Sequence, residues 1–169
     1  HVELTPDRAR RTAEHAVDVA RTLRPVATER VELASEPVYP HAVWVADYEI
    51  DPFDVPVREK VDLLTGWARR LLTAEGVDHV EAHLTQVREC KYYADLAGTS
   101  TLQQRIRIAP EVTATAVVAG EQGFETMRTL APPVGRGWEY VTGTGWDFDA
   151  ELAQIPELLA EKVAAPSVQ

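Results

Sequence analysis

The sequence predicts an α+β fold, an antiparallel meander of about four to six strands with helices packed on one face. Three observations carry this. Between Val77 and Leu130 apolar and polar residues alternate with period two, the pattern of strands with one buried and one wet face. The segments before and after that stretch carry apolar residues at helical spacing. A sheet with a single apolar face needs a layer on that face alone, and those helices can supply it.

Thr5-Pro6-Asp7 starts the first helix, with a hydroxyl cap, a proline in the first turn and an acid at the positive end of the dipole. Ala9, Ala13, Ala16, Val17, Ala20 and Leu23 follow at helical spacing, and Pro25 stops the run. Their small side chains would let the helix lie close against a sheet. Residues 26–50 read as irregular, broken by Pro37 and Pro40, with a strand or extended stretch inside them at 41–50. Val43, Trp44, Val45, Tyr48 and Ile50 then mark an extended segment able to wrap a sheet edge. Asp51 to Pro56 opens a second helix, whose apolar stripe is Val57, Val61, Leu64, Ala68, Leu71 and Leu72, widened by Leu63 and Trp67. Gly76 caps its end.

In the meander Val80, Ala82 and Leu84 alternate with His79, Glu81 and His83. Leu102, Ile106 and Ile108 alternate with Gln103, Arg105 and Arg107, and Val112, Ala114, Ala116 and Val118 with Thr113 and Thr115. Asp95-Leu96-Ala97-Gly98 supplies the first reversal, Pro110 is expected to separate the second run from the third, and residues 120–123 the third from the fourth. Residues 131–145, with Pro132, Pro133 and four glycines, read as an ordered loop pinned by Trp138, Tyr140 and Trp146. A last helix over residues 147–163 should turn Leu152, Ile155, Leu158, Leu159 and Val163 inward, with Pro156 kinking it or marking its true start. Residues 164–169 read as a linker.

A chain of 169 residues suits one domain, taken here as residues 1–168. Its 45% hydrophobic and 26% charged residues are ordinary for a soluble protein. The net charge of −10 repels phosphate backbones and anionic lipid, so nucleic acid and membrane surfaces are not expected partners. The single cysteine, Cys90, allows no internal disulfide framework and fits a reducing cytosol. With no signal region and no run of membrane-spanning length, the expected location is cytoplasmic.

His79, Glu81 and His83 share one face of a strand, about 7 Å apart at each step, so two or three of them could chelate a metal. The plainer reading is the polar face of a half-buried strand. Cys90, between Glu89 and Lys91, lacks any sequence sign of a histidine base or oxyanion hole and reads as a small core residue. Gly135-Arg136-Gly137-Trp138 and Gly143-Thr144-Gly145-Trp146 resemble halves of nucleotide loops but lack the third glycine and the strand-to-helix context. Arg105 and Arg107 share the polar face of their strand and, with Arg128 and Arg136, concentrate cations in the C-terminal half. They could grip a carboxylate bidentately, or simply be solvated charges. The residues alone describe an α+β domain without a complete active site.

Several stretches resemble the N-terminal domain of the TldD/PmbA family, the TldD-like branch more closely. They are Asp51-Pro52-Phe53-Asp54-Val55-Pro56 with Glu59-Lys60, the strand from Val77 to Ala82, Asp95-Leu96-Ala97-Gly98-Thr99 with Gln104-Arg105, Gly135-Arg136-Gly137-Trp138-Glu139-Tyr140, and the closing run from Leu158 to Pro166. The likeness spans roughly residues 40–168 and lies in order and character. It implies the N-terminal domain of a zinc metallopeptidase that trims peptides or unfolded protein, in a family also named for modulation of DNA gyrase. It further implies a homodimer or a TldD–TldE-like heterodimer. The family's zinc motif, His-Glu-x-x-x-His, lies in a C-terminal domain; here His1, His15, His41, His79 and His83 are none of them followed by glutamate. The expected role is therefore substrate admission and subunit contact without catalysis, with no cofactor in this chain. Arg105, Arg107, Arg136 and Trp138 are the candidate substrate-binding residues. The alternative is a non-enzymatic module that binds a protein through its sheet face or edge.

Overall fold

The computed structural model describes residues 4–26, 29, 32, 34–118 and 123–165. Its contacts divide the chain into two compact units, His1–Pro37 and Val38–Gln169. The first is built on helix α1 (Pro6–Leu23), where the Thr5 hydroxyl accepts the Arg8 N–H at 3.3 Å and Asp7 occupies the first turn. A 3-10 turn at Arg24–Val26 follows, and no residue of α1 is buried.

The second unit runs β1 (Ala42–Val45), α2 (Val57–Leu72), β2 (His79–Ala94), β3 (Ser100–Val118), β4 (Gly123–Arg128), a 3-10 turn at Trp138–Tyr140, and α3 (Phe148–Ala164). The class is α+β. Strand β3 is the spine of the sheet. Antiparallel β2 lines one side of it along nearly its whole length, from His79↔Thr115 to Ala94↔Ser100. The other side is shared end to end: β1 pairs in parallel from Ala42↔Thr101 to Val45↔Gln104, Val134 bridges to Ile108, and β4 pairs antiparallel from Val118↔Gly123 to Thr113↔Arg128. The sheet is thus mixed rather than the expected pure meander, because the extended segment near Trp44 joins β3 itself. The turn at Asp95-Leu96-Ala97-Gly98 forms as read, with Gly98 at φ +104°. The reversal expected over residues 120–123 lies mostly outside the described residues, as does the end of the C-terminal linker.

Pro110 corrects the sequence reading. Rather than separating a pair of strands, it sits inside β3, opposite Leu84. The N–H of Ile108 donates to Val134 O at 3.0 Å and that of Val112 to the Thr129 hydroxyl at 3.0 Å, so even-numbered residues of β3 point their main chain away from β2. A proline between them has its missing N–H on that same side, where the neighbouring chain is interrupted between Thr129 and Val134. No ladder bond is lost there.

The same alternation builds the core. Ile106, Ile108, Val112, Ala114 and Ala116 are buried on one face of β3, beside half-buried Val80, Ala82 and Leu84 of β2. Over them lie Trp67 and Leu71 of α2 and Phe148, Leu152, Ile155 and Leu159 of α3. Phe148 stacks on Trp67 at 5.1 Å between ring centroids and meets Tyr140 edge-on at 5.5 Å. The helical stripes are narrower than expected: Val57, Val61 and Leu72 of α2 and Leu158 and Val163 of α3 are exposed, since each helix touches the sheet along one line. Helix α3 continues through Pro156.

Strand length exceeds helical cover. Nineteen residues of β3 extend about 60 Å, whereas the sixteen of α2 span about 24 Å. The hairpin end of β2 and β3, with β1, consequently carries exposed Val43, Trp44, Val45, Tyr92, Tyr93 and Leu102.

Candidate functional site: the polar sheet face and its edges

Opposite the core, the odd-numbered residues of β2 and β3 share one face. Their charges are largely matched. Arg107 Nη2 lies 3.3 Å from Glu89 Oε2, Lys91 Nζ 3.4 Å from Glu89 Oε1, Arg128 Nη1 3.3 Å from Glu111 Oε2, and His83 Nε2 3.0 Å from Glu81 Oε1. Arg105 differs. It has no carboxylate partner among the described residues; its Nη2 donates to Gln103 Oε1 at 3.3 Å and its guanidinium stands 5.9 Å from the ring centroid of Trp44 on β1. The two arginines singled out from the sequence do share a face, but Arg107 is already engaged and Arg105 is the freer cation.

Arg136 stands apart from that pair. It lines a cleft with Asp47, Tyr48, Glu49, Gly135 and Glu139. Trp138 is buried at 3% exposure, and its N–H donates to Ile50 O at 2.8 Å. Its ring belongs to the core and offers a peptide no surface. Cys90 is exposed rather than a core residue, because β2 has by then run past the helices.

A residue the sequence reading passed over organises this loop. Glu139 is a buried carboxylate that accepts the Gly137 N–H at 2.8 Å and the Ile50 N–H at 3.1 Å. Burial opposes its charge, but the backbone donors of Gly137 and Ile50, with those of Glu139 itself and Glu49, outweigh it and hold the carboxyl below its ordinary value. Gly137 is required by space: a Cβ there would stand 2.2 Å from Ile50 O. Nothing in the local pattern marks the site, since Ile50 lies 89 residues from Glu139 in the chain. Tyr140, beside it, is raised in pKa by burial and by Glu151, against the opposing influence of Arg136, and donates to Pro132 O at 2.9 Å.

No group of three or more histidine, cysteine, aspartate or glutamate side chains stands where it could hold a metal ion among the described residues. His79, Glu81 and His83 lie along one exposed strand face. Among the described residues no helix is long and apolar enough to cross a membrane.

The outer side of β2 is the other open feature. Even-numbered residues of β3 face β1 and β4, so the odd-numbered ones bond to β2, and the even-numbered residues of β2 turn their N–H and C=O outward. From Val80 to Tyr92, seven residues present main-chain groups along this edge, and no strand among the described residues pairs with it. No protein-family model matches this chain, and no curated protein matches it.

Proposed function

We propose that this chain is the N-terminal, non-catalytic domain of a TldD/PmbA-type zinc metallopeptidase, which admits peptides or unfolded protein segments and contacts a second subunit. The zinc belongs to a C-terminal domain of the parent protein. Among the described residues no donor set fits such a centre, and the role proposed for this chain is admission and contact rather than a step of the chemistry. One observation supports the reading above others: the strands outrun their helices and leave extended backbone, aromatic rings and cations open together around β1. A peptide laid along β1 is held by main-chain groups whatever its side chains, as a broad-specificity peptidase requires. Arg105, over Trp44, is at hand for a carboxylate, with Arg107 beside it.

In the parent enzyme, Arg105→Ala with Arg107→Ala should raise KM roughly tenfold, about 1.4 kcal/mol of binding, for two peptides of unrelated sequence, leaving zinc content and fold intact. Arg105→Ala alone should carry most of the effect. Unchanged KM for both peptides would remove the arginines from the substrate site. A parent gene without a His-Glu-x-x-x-His motif would favour a plain interaction module instead.

A further inference from the structure

We infer that the open edge of β2 pairs antiparallel with the same edge of a second copy of this chain, about a two-fold axis through Gln86. The inference rests on the subunit contact in the reading above, and two independent features of the edge converge on it.

The first is charge. Centred on Gln86, the polar face sets Glu81 opposite Lys91 of the second copy, His83 opposite Glu89, Thr85 opposite Val87 and His79 opposite Tyr93. The two-fold makes every pair occur twice. Moving the axis one residue toward the N-terminus sets Glu81 against Glu89 and His79 against Lys91. One residue the other way sets His83 against Lys91. Of these three registers only the one on Gln86 sets Glu81 against Lys91, and cross-strand pairs of opposite sign favour pairing while like charges oppose it. Glu81, His83 and Lys91 are each more than half exposed, while Glu89 is 31% exposed and holds Arg107 and Lys91 within its own chain, so the cross-axis pairs form by exchange of exposed ion pairs.

The second is apolar surface. Helix α2 packs on β2, and its Trp67 and Arg70 side faces α3, through the Phe148 ring and an Arg70 Nη1–Asp149 Oδ1 contact of 2.7 Å. Val57, Val61 and Leu72, 72%, 53% and 48% exposed, lie on the opposite flank by helical periodicity, over the free edge. The axis through Gln86, beneath α2, brings this flank against its own copy. Sheet and helix layers thus continue together across one interface, and the edge that proteins otherwise have to protect is covered.

The test is the molar mass of the full chain, by light scattering or sedimentation equilibrium at low salt. The unaltered chain should be a dimer. Lys91→Glu alone sets glutamates against glutamates, and Glu81→Lys alone sets lysines against lysines; each should weaken the dimer roughly tenfold or more, because the axis counts every change twice. Mixed one to one, the two single variants restore complementary pairs and should associate as tightly as the unaltered chain. Circular dichroism spectra and melts of the variants show that they fold. A monomeric unaltered chain, a dimer indifferent to both changes, or a mixture that fails to re-associate would each overturn the proposal. No peptidase activity is read, so failure here leaves substrate admission to its own kinetic test.

Discussion

Glu139→Gln should unmake a lock that holds two distant loops together. The side chain is 5% exposed and receives the N–H groups of Gly137 at 2.8 Å and Ile50 at 3.1 Å, one on each carboxylate oxygen. Glutamine keeps the shape but offers one acceptor, and its amide turns a donor toward one of two N–H donors. Hydrogen bonds to a charged group contribute about 1.5–3 kcal/mol each, so a net loss of about 2 kcal/mol is expected after partial relaxation. In thermal melts this corresponds to a fall in Tm of roughly 5 °C. The sign with pH follows from the depressed native pKa. Stability from this carboxylate is fully present above its ordinary value of 4.5 and is lost as pH falls through the lower native value. The difference between parent and variant in urea unfolding should therefore be largest at neutral pH and shrink in the acid range below 4.5. A difference under about 0.5 kcal/mol at neutral pH, or one that does not change with pH, would refute the reasoning.

Two further outcomes follow from packing. Gly137→Ala drives a methyl to 2.2 Å from Ile50 O and should cost about 3 kcal/mol by urea unfolding, and its effect should add incompletely to that of Glu139→Gln because both act on one lock. Leu152→Ala, at a position 1% exposed, should cost about 3 kcal/mol in the same assay, whereas Leu158→Ala, at 39%, should cost under about 1 kcal/mol.

The segments with strong periodicity were legible in the sequence. The Thr5 cap and Pro6 place the start of α1, and the alternation from Val80 to Val118 identifies the strands and their core face. Pro110 misled because a proline's effect depends on where its missing N–H would point, and only the neighbouring chain's gap between Thr129 and Val134 decides that. Leu158 and Val61 fit a helical stripe, but how wide a stripe is buried depends on what the helix lies against. For the candidate site, the shared face of Arg105 and Arg107 follows from period two alone. That Glu89 engages Arg107 and leaves Arg105 over Trp44 needs the pairing register.

By itself, then, the sequence determined what is local: which residues alternate, which caps and turns close each element, and which side chains share a face. These depend on neighbours within a few positions. Tertiary structure alone decided what joins residues far apart. It sent β1 to run parallel with β3, buried Glu139 between Gly137 and Ile50, and left β2 without a partner on its outer side among the described residues. The physical reason is that a long-range pairing is selected by the whole core it completes, and no short window of residues carries that information.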